Sequence, residues 1–86
     1  MLNKKLDEYV MDMDHKLKNK AIYIDYCINA FGDKYGLSPK EAYAYLERFE
    51  GLKFLDECYE AEHLLSIRDA VKDLVEVCRK NGGEIE

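Results

Sequence analysis

The chain has one proline, and its setting, Gly36-Leu37-Ser38-Pro39-Lys40-Glu41, leaves the flanking segments little choice of structure. Gly36 can take the left-handed conformation that closes a helix. Ser38 is then the N-cap of a second helix, and Pro39 fits its first position, where a backbone N–H has no partner to lose. Glu41, three residues past the cap, completes a reciprocal capping box. A stop and a start within six residues commit both sides to helix.

The flanks agree. Leu2, Leu6, Tyr9, Val10, Met13 and Leu17 recur at three- and four-residue steps, which makes residues 1–17 one amphipathic stripe. From Ala21 to Tyr35, Ile24, Cys27, Ile28, Phe31 and Tyr35 share one face, with Ile22, Tyr23, Tyr26 and Ala30 on an adjoining arc. A helix apolar over so much of its circumference is expected to be central. Residues 1–35 form one helix or break near His15 to Lys20; the pattern allows both. The helix starting at Pro39 turns Ala42, Tyr45, Leu46 and Phe49 inward, and Gly51 is expected to end it. A short helix from about Leu52 follows. Ser66 with Asp69 marks another N-terminus, and Ile67, Val71, Leu74 and Cys78 form the core face of the last helix. Asn81-Gly82-Gly83 stops it, leaving residues 84–86 as a frayed tail. No alternating strand pattern competes. The expectation is an all-α single domain over residues 1–86, a compact bundle of four or five helices.

At 86 residues such a domain buries only about 60–65% of its unfolded surface, so single core positions should matter. No stretch approaches the ~18 apolar residues of a membrane helix, and the N-terminal residues lack a secretory pattern. No membrane role and a cytoplasmic location are therefore expected. Cys27, Cys58 and Cys78 are odd in number and form no CxxC. They read as reduced thiols packed like small apolar side chains. The net charge of −5 disfavours nucleic acid, whose phosphates an acidic domain repels, and suits a basic protein partner.

Phe54 to Ser66, FLDECYEAEHLLS, concentrates the reactive residue types. On a helical wheel Phe54, Leu55, Cys58, Ala61 and Leu65 turn inward, while Asp56, Glu57 and Glu60 form an outer arc available to a partner. Cys58, Glu62 and His63 could instead centre a small metal- or thiol-dependent enzyme. Structural zinc wants four nitrogen or sulfur ligands, however, and the other histidine, His15, is distant in sequence. Residues five apart on a helix also point about 140° away from each other, so Cys58 and His63 would not meet. No catalytic, metal-binding or cofactor-binding residue is assigned, and no cofactor is expected. Two residues fit the wheel poorly. Glu62 falls near the apolar arc: either the helix ends by Ala61 and frees it to solvent, or it is half-buried with a Lys or Tyr partner. His63 precedes the last helix and is expected to satisfy open backbone carbonyls or an acid there, with Asp73 as the candidate partner.

These segments resemble a small bacterial family known only as a domain of unknown function. The resemblance rests on Tyr26-Cys27-Ile28, on Gly36-Leu37-Ser38, and on the run from Phe54 to Leu74 with Tyr59, His63, Ser66 and Asp73. It spans about residues 20–83. The family tends to have a hydrophobic residue where this chain has Glu62, which counts against an interface role for that position. The resemblance implies an uncharacterised helical protein often encoded beside an ADP-ribosyltransferase-like protein, hence a binding partner or antitoxin-like neutraliser. The leading expectation is a non-enzymatic protein–protein interaction module. A homodimer through Leu2, Leu6, Tyr9, Met13 and Leu17 is compatible with it.

Overall fold

A computed structural model describes the backbone of residues 4–86, with side chains described from Leu17 onward. Among the described residues five helices follow one another: α1 Lys4–Tyr35, α2 Pro39–Arg48, α3 Gly51–Glu57, α4 Tyr59–Glu62 and α5 Ile67–Lys80. No strand occurs among the described residues, and the all-α architecture is as expected. Residues 4–35 are one continuous helix, about 48 Å long at 1.5 Å per residue. Of the N-terminal stripe, Leu2, Leu6, Tyr9 and Met13 lie outside the residues whose side chains are described; Leu17 is 66% exposed.

The punctuation around Pro39 forms as its chemistry dictates. Gly36 sits at φ +69°, and the Leu37 N–H donates to the Gly32 carbonyl at 2.8 Å, which closes α1. The Glu41 N–H donates to Ser38 Oγ at 3.1 Å, and the Ser38 N–H donates to Glu41 Oε1 at 3.0 Å. The cap of α5 repeats half of this, with the Asp69 N–H donating to Ser66 Oγ at 3.1 Å. The core gathers Cys27, Ile28 and Phe31 from α1, Ala42 and Leu46 from α2, Leu55 from α3, and Ala70, Val71, Leu74 and Cys78 from α5. Tyr45 stacks on Phe31 with ring centroids 5.6 Å apart, and Phe49 tilts against Tyr45.

Three local expectations are corrected. Gly51 does not end α2. That role falls to Glu50, at φ +70°, while Gly51 is buried in the first turn of α3. A Cβ on Gly51 would lie 2.9 Å from Leu46 Cδ2 and 3.1 Å from Cys78 Sγ; the glycine is there for close approach, not for its backbone freedom. The short helix after it is also two pieces, interrupted at Cys58. Finally, the C-terminal tail is not frayed at Ile85. Its N–H donates to the Tyr45 hydroxyl at 3.0 Å, and Ile85 packs against the core. Gly83 makes this possible, since a Cβ there would collide with that hydroxyl.

Opposite effects are expected from two neighbouring substitutions in thermal or urea unfolding. Gly51→Ala should cost about 1–3 kcal/mol by overpacking. Glu50→Gly should stabilise by about 1 kcal/mol, because it relieves a left-handed residue that bears a Cβ.

Candidate functional site

The break at Cys58 governs what the second half of the FLDECYEAEHLLS stretch presents. A continuous helix would keep Cys58, Ala61 and Leu65 on the core side. Instead Cys58 is half-buried, Ala61 and Leu65 are exposed, and the phase of α4 carries Glu62 inward to 4% exposure. Glu62 therefore reaches neither solvent nor a lysine. It lies against Asp73 of α5, with Tyr23 and Cys27 of α1 beside it. Its Oε1 is buried without a hydrogen bond, as is the Tyr23 hydroxyl, whose near neighbour is the Cys27 sulfur.

Burial pushes the Glu62 carboxyl up to about 7, and Asp73 adds to the rise both by bonding to the protonated form and by charge repulsion. Burial likewise raises the Tyr23 hydroxyl and the Cys27 thiol. Phenol and thiol stay neutral at physiological pH, which disfavours nucleophilic chemistry at Cys27.

His63 does not pair with Asp73. It is exposed, and its Nδ1 lies 2.7 Å from the Tyr59 carbonyl oxygen. Its ring stacks on Tyr59, centroids 4.6 Å apart at 19°. The four-residue spacing of Tyr59 and His63 places both on one side of α4, which makes this local contact. The Tyr59 carbonyl already accepts the His63 N–H at 2.9 Å, so the ring meets no open carbonyl there.

Asp56, Glu57 and Glu60 are exposed as expected, but Asp56 is not free. Lys20 of α1 reaches it, Nζ to Oδ1 at 2.6 Å, and the same ammonium stands 5.9 Å from the centre of the Tyr59 ring. The three acids, Lys20, Leu17 and the Tyr59–His63 stack line a groove of about 470 Å³ between α1 and α3–α4. Next to it a hollow of about 410 Å³ is lined by Ile22, Tyr23, Tyr26 and Ile67, and it shares Asn19 and Tyr59 with the groove. Ile22 and Tyr26 are 57% and 60% exposed, and Tyr23 meets Tyr59 edge-on at 5.5 Å. The result is one continuous surface, apolar at one end and acidic at the other. Ile22 and Tyr26 were legible only as part of an overly wide apolar arc, and Lys20 gave no signal because its partner is on another helix.

The Cys58, Glu62 and His63 grouping is not assembled. Cys58 sits in the α3–α4 joint, Glu62 faces Asp73, and His63 faces Tyr59. Among the described residues no three His, Cys, Asp or Glu side chains are grouped to hold a metal ion, and no helix is long and apolar enough to cross a membrane.

Compared with known proteins, residues 23–81 match a family model described as a protein of unknown function (DUF3791). No curated protein and no solved structure matches.

Glu62 makes stability pH-dependent, with a definite sign. Its folded-state value of about 7 lies above the ordinary value of 4.5, so the native chain holds more proton than the unfolded chain between these limits. The stabilisation it gives is complete below about 4.5 and is lost as pH rises through about 7. Glu62→Gln, which has no such proton to lose, should match the native chain near the lower limit. It should exceed it by about 1–3 kcal/mol at pH 8, read by urea unfolding across the pH range.

Proposed function

The chain belongs to that family, and on that premise we propose that it is a non-enzymatic protein–protein interaction module that takes a basic partner. One observation carries the reading: the apolar hollow at Ile22 and Tyr26 runs into the groove rimmed by Asp56, Glu57 and Glu60. An exposed apolar patch with a polar rim is the usual form of a contact surface. Among the described residues its three acids outnumber the lysine that lines it, Lys20, so it would attract a basic partner at long range. In this proposal the module acts in the bacterial cytoplasm as an antitoxin-like neutraliser, with an ADP-ribosyltransferase-like protein as partner.

A second reading, association of two copies through α1, is favoured by the 66% exposure of Leu17, the one residue of the expected seam whose side chain is described. Light scattering separates the two. A dimer that Leu17→Asp dissolves supports the second copy, and a full-length monomer removes it.

The main test recovers whatever cross-links to a photoreactive residue placed at Tyr26 in the native cell, then measures association with that protein. Ile22→Asp should weaken binding at least about tenfold, as expected where an apolar anchor is lost. Replacing Asp56, Glu57 and Glu60 with Asn or Gln should leave stability within about 0.5 kcal/mol yet slow association at low salt, the difference shrinking as salt rises. Association unchanged by either variant would refute the proposed surface. Stoichiometric zinc, or one thiol far more reactive than free cysteine, would restore the enzyme reading.

A further inference from the structure

The carboxyl pair behind the hollow is the least explained part of the molecule. Glu62 is 4% exposed and its Oε1 has no hydrogen-bond partner. Among the described residues, the groups facing it are Asp73 from α5 and Tyr23 and Cys27 from α1, and no cation: the described ion pairs, Lys20–Asp56 and Arg79–Glu76, lie elsewhere. A carboxyl buried as Glu62 is, facing a second acid and no cation, stays there by holding its proton, because its charge would be both desolvated and repelled.

The pair also sits where its state would be felt. Glu62 ends α4, a single turn of four residues that leaves the chain at Cys58 and turns again at His63 and Leu64. That turn is held by few bonds, among them the Glu62 N–H to the Cys58 carbonyl at 2.9 Å and the His63 N–H to the Tyr59 carbonyl at 2.9 Å. Tyr59, at the other end of the same turn, forms the wall of the hollow with Tyr23. Tyr23 belongs to both sides, its ring lining the hollow and its hydroxyl buried close to Glu62.

We propose that the Glu62–Asp73 pair is a proton-held clasp between α4 and α5, and that release of its proton to solvent loosens α4 and opens the Tyr23–Tyr59 wall of the hollow. This rests on the interaction reading for its biological use: docking on that face becomes pH-dependent, tightest where the wall is intact. The clasp itself is a property of the free chain and is tested there, so failure of the docking surface would leave the clasp standing, and the reverse.

The experiment follows amide hydrogen exchange of the full chain at about pH 5.5 and about pH 8.5, corrected for the intrinsic base-catalysed rate. These conditions bracket the titration of Glu62 near 7. Protection at the Glu62, His63 and Leu65 amides should fall about tenfold or more between them relative to α2, as a carboxyl titrating one to two units below the higher pH requires. The Tyr23 and Tyr59 ring resonances should shift over the same range. In Glu62→Gln both changes should disappear while α2 protection is unchanged, and in Asp73→Asn, where burial alone holds the Glu62 carboxyl up, their midpoint should move to lower pH. Two variants are used so that one misfolded protein cannot decide the matter. Protection in α4 that is constant with pH in the native chain, or that falls as much in Glu62→Gln, overturns the clasp.

Discussion

Everything on the candidate face follows from how closely α3 approaches α2 and α5. Gly51 brings the start of α3 against Leu46 and Cys78, where a Cβ would stand 2.9 Å and 3.1 Å from their side-chain atoms. From this anchor α3 runs with Leu55 fully buried and delivers Asp56 to Lys20 on α1. The break at Cys58 then lets α4 set Tyr59 against Tyr23 and Glu62 against Asp73. Were Gly51 larger, α3 would stand off, and each of these contacts would change together, since close-packed interiors transmit displacement instead of absorbing it.

The acids of one short stretch have opposite energetic fates. Asp56 with Lys20 is a surface ion pair, its carboxylate 64% exposed, and such pairs contribute about 0–1 kcal/mol. Glu62, three residues from Tyr59 on the same turn, is buried among an acid, a phenol and a thiol. A shift from 4.5 to about 7 corresponds to roughly 3 kcal/mol against its ionised form. The stronger electrostatic effect therefore belongs to the residue that makes no salt bridge. An apolar side chain of similar size at this position would avoid that cost.

The features legible in the sequence were those set by local chemistry. The Ser38–Glu41 capping box, the left-handed Gly36 and the Ser66 cap depend on residues within a few positions of each other, and all formed. The features that were not legible depend on contacts distant in sequence. Gly51 looked like a stop because a glycine that admits a positive φ and one that admits a neighbouring helix are the same letter. Glu50 took the strained conformation instead. The tail looked free because its anchor, the Tyr45 hydroxyl, is forty residues away. The inward turn of Glu62 required the break at Cys58, which no glycine or proline announces, and so the wheel drawn through it kept Cys58, Ala61 and Leu65 on the wrong side. The expected pairing of Asp73 with His63 does not form; Asp73 lies against Glu62 instead, a contact that depends on the same break.

The wide apolar arc of α1 has the same double meaning. Its residues serve two surfaces: Cys27, Ile28 and Phe31 face the core, while Ile22 and Tyr26 face outward beside the groove. A small domain gains nothing in stability from leaving large apolar side chains more than half exposed, since burying them would contribute roughly 1.5–3 kcal/mol each. Tyr23, between the two sets, joins them physically. Its ring is part of the outer hollow and its hydroxyl ends beside Cys27 and Glu62. Movement of that one side chain would alter the hollow and the carboxyl pair at once. The docking face and the carboxyl pair are for that reason one mechanical unit, built from about two turns of α1, the short α4 and the first half of α5.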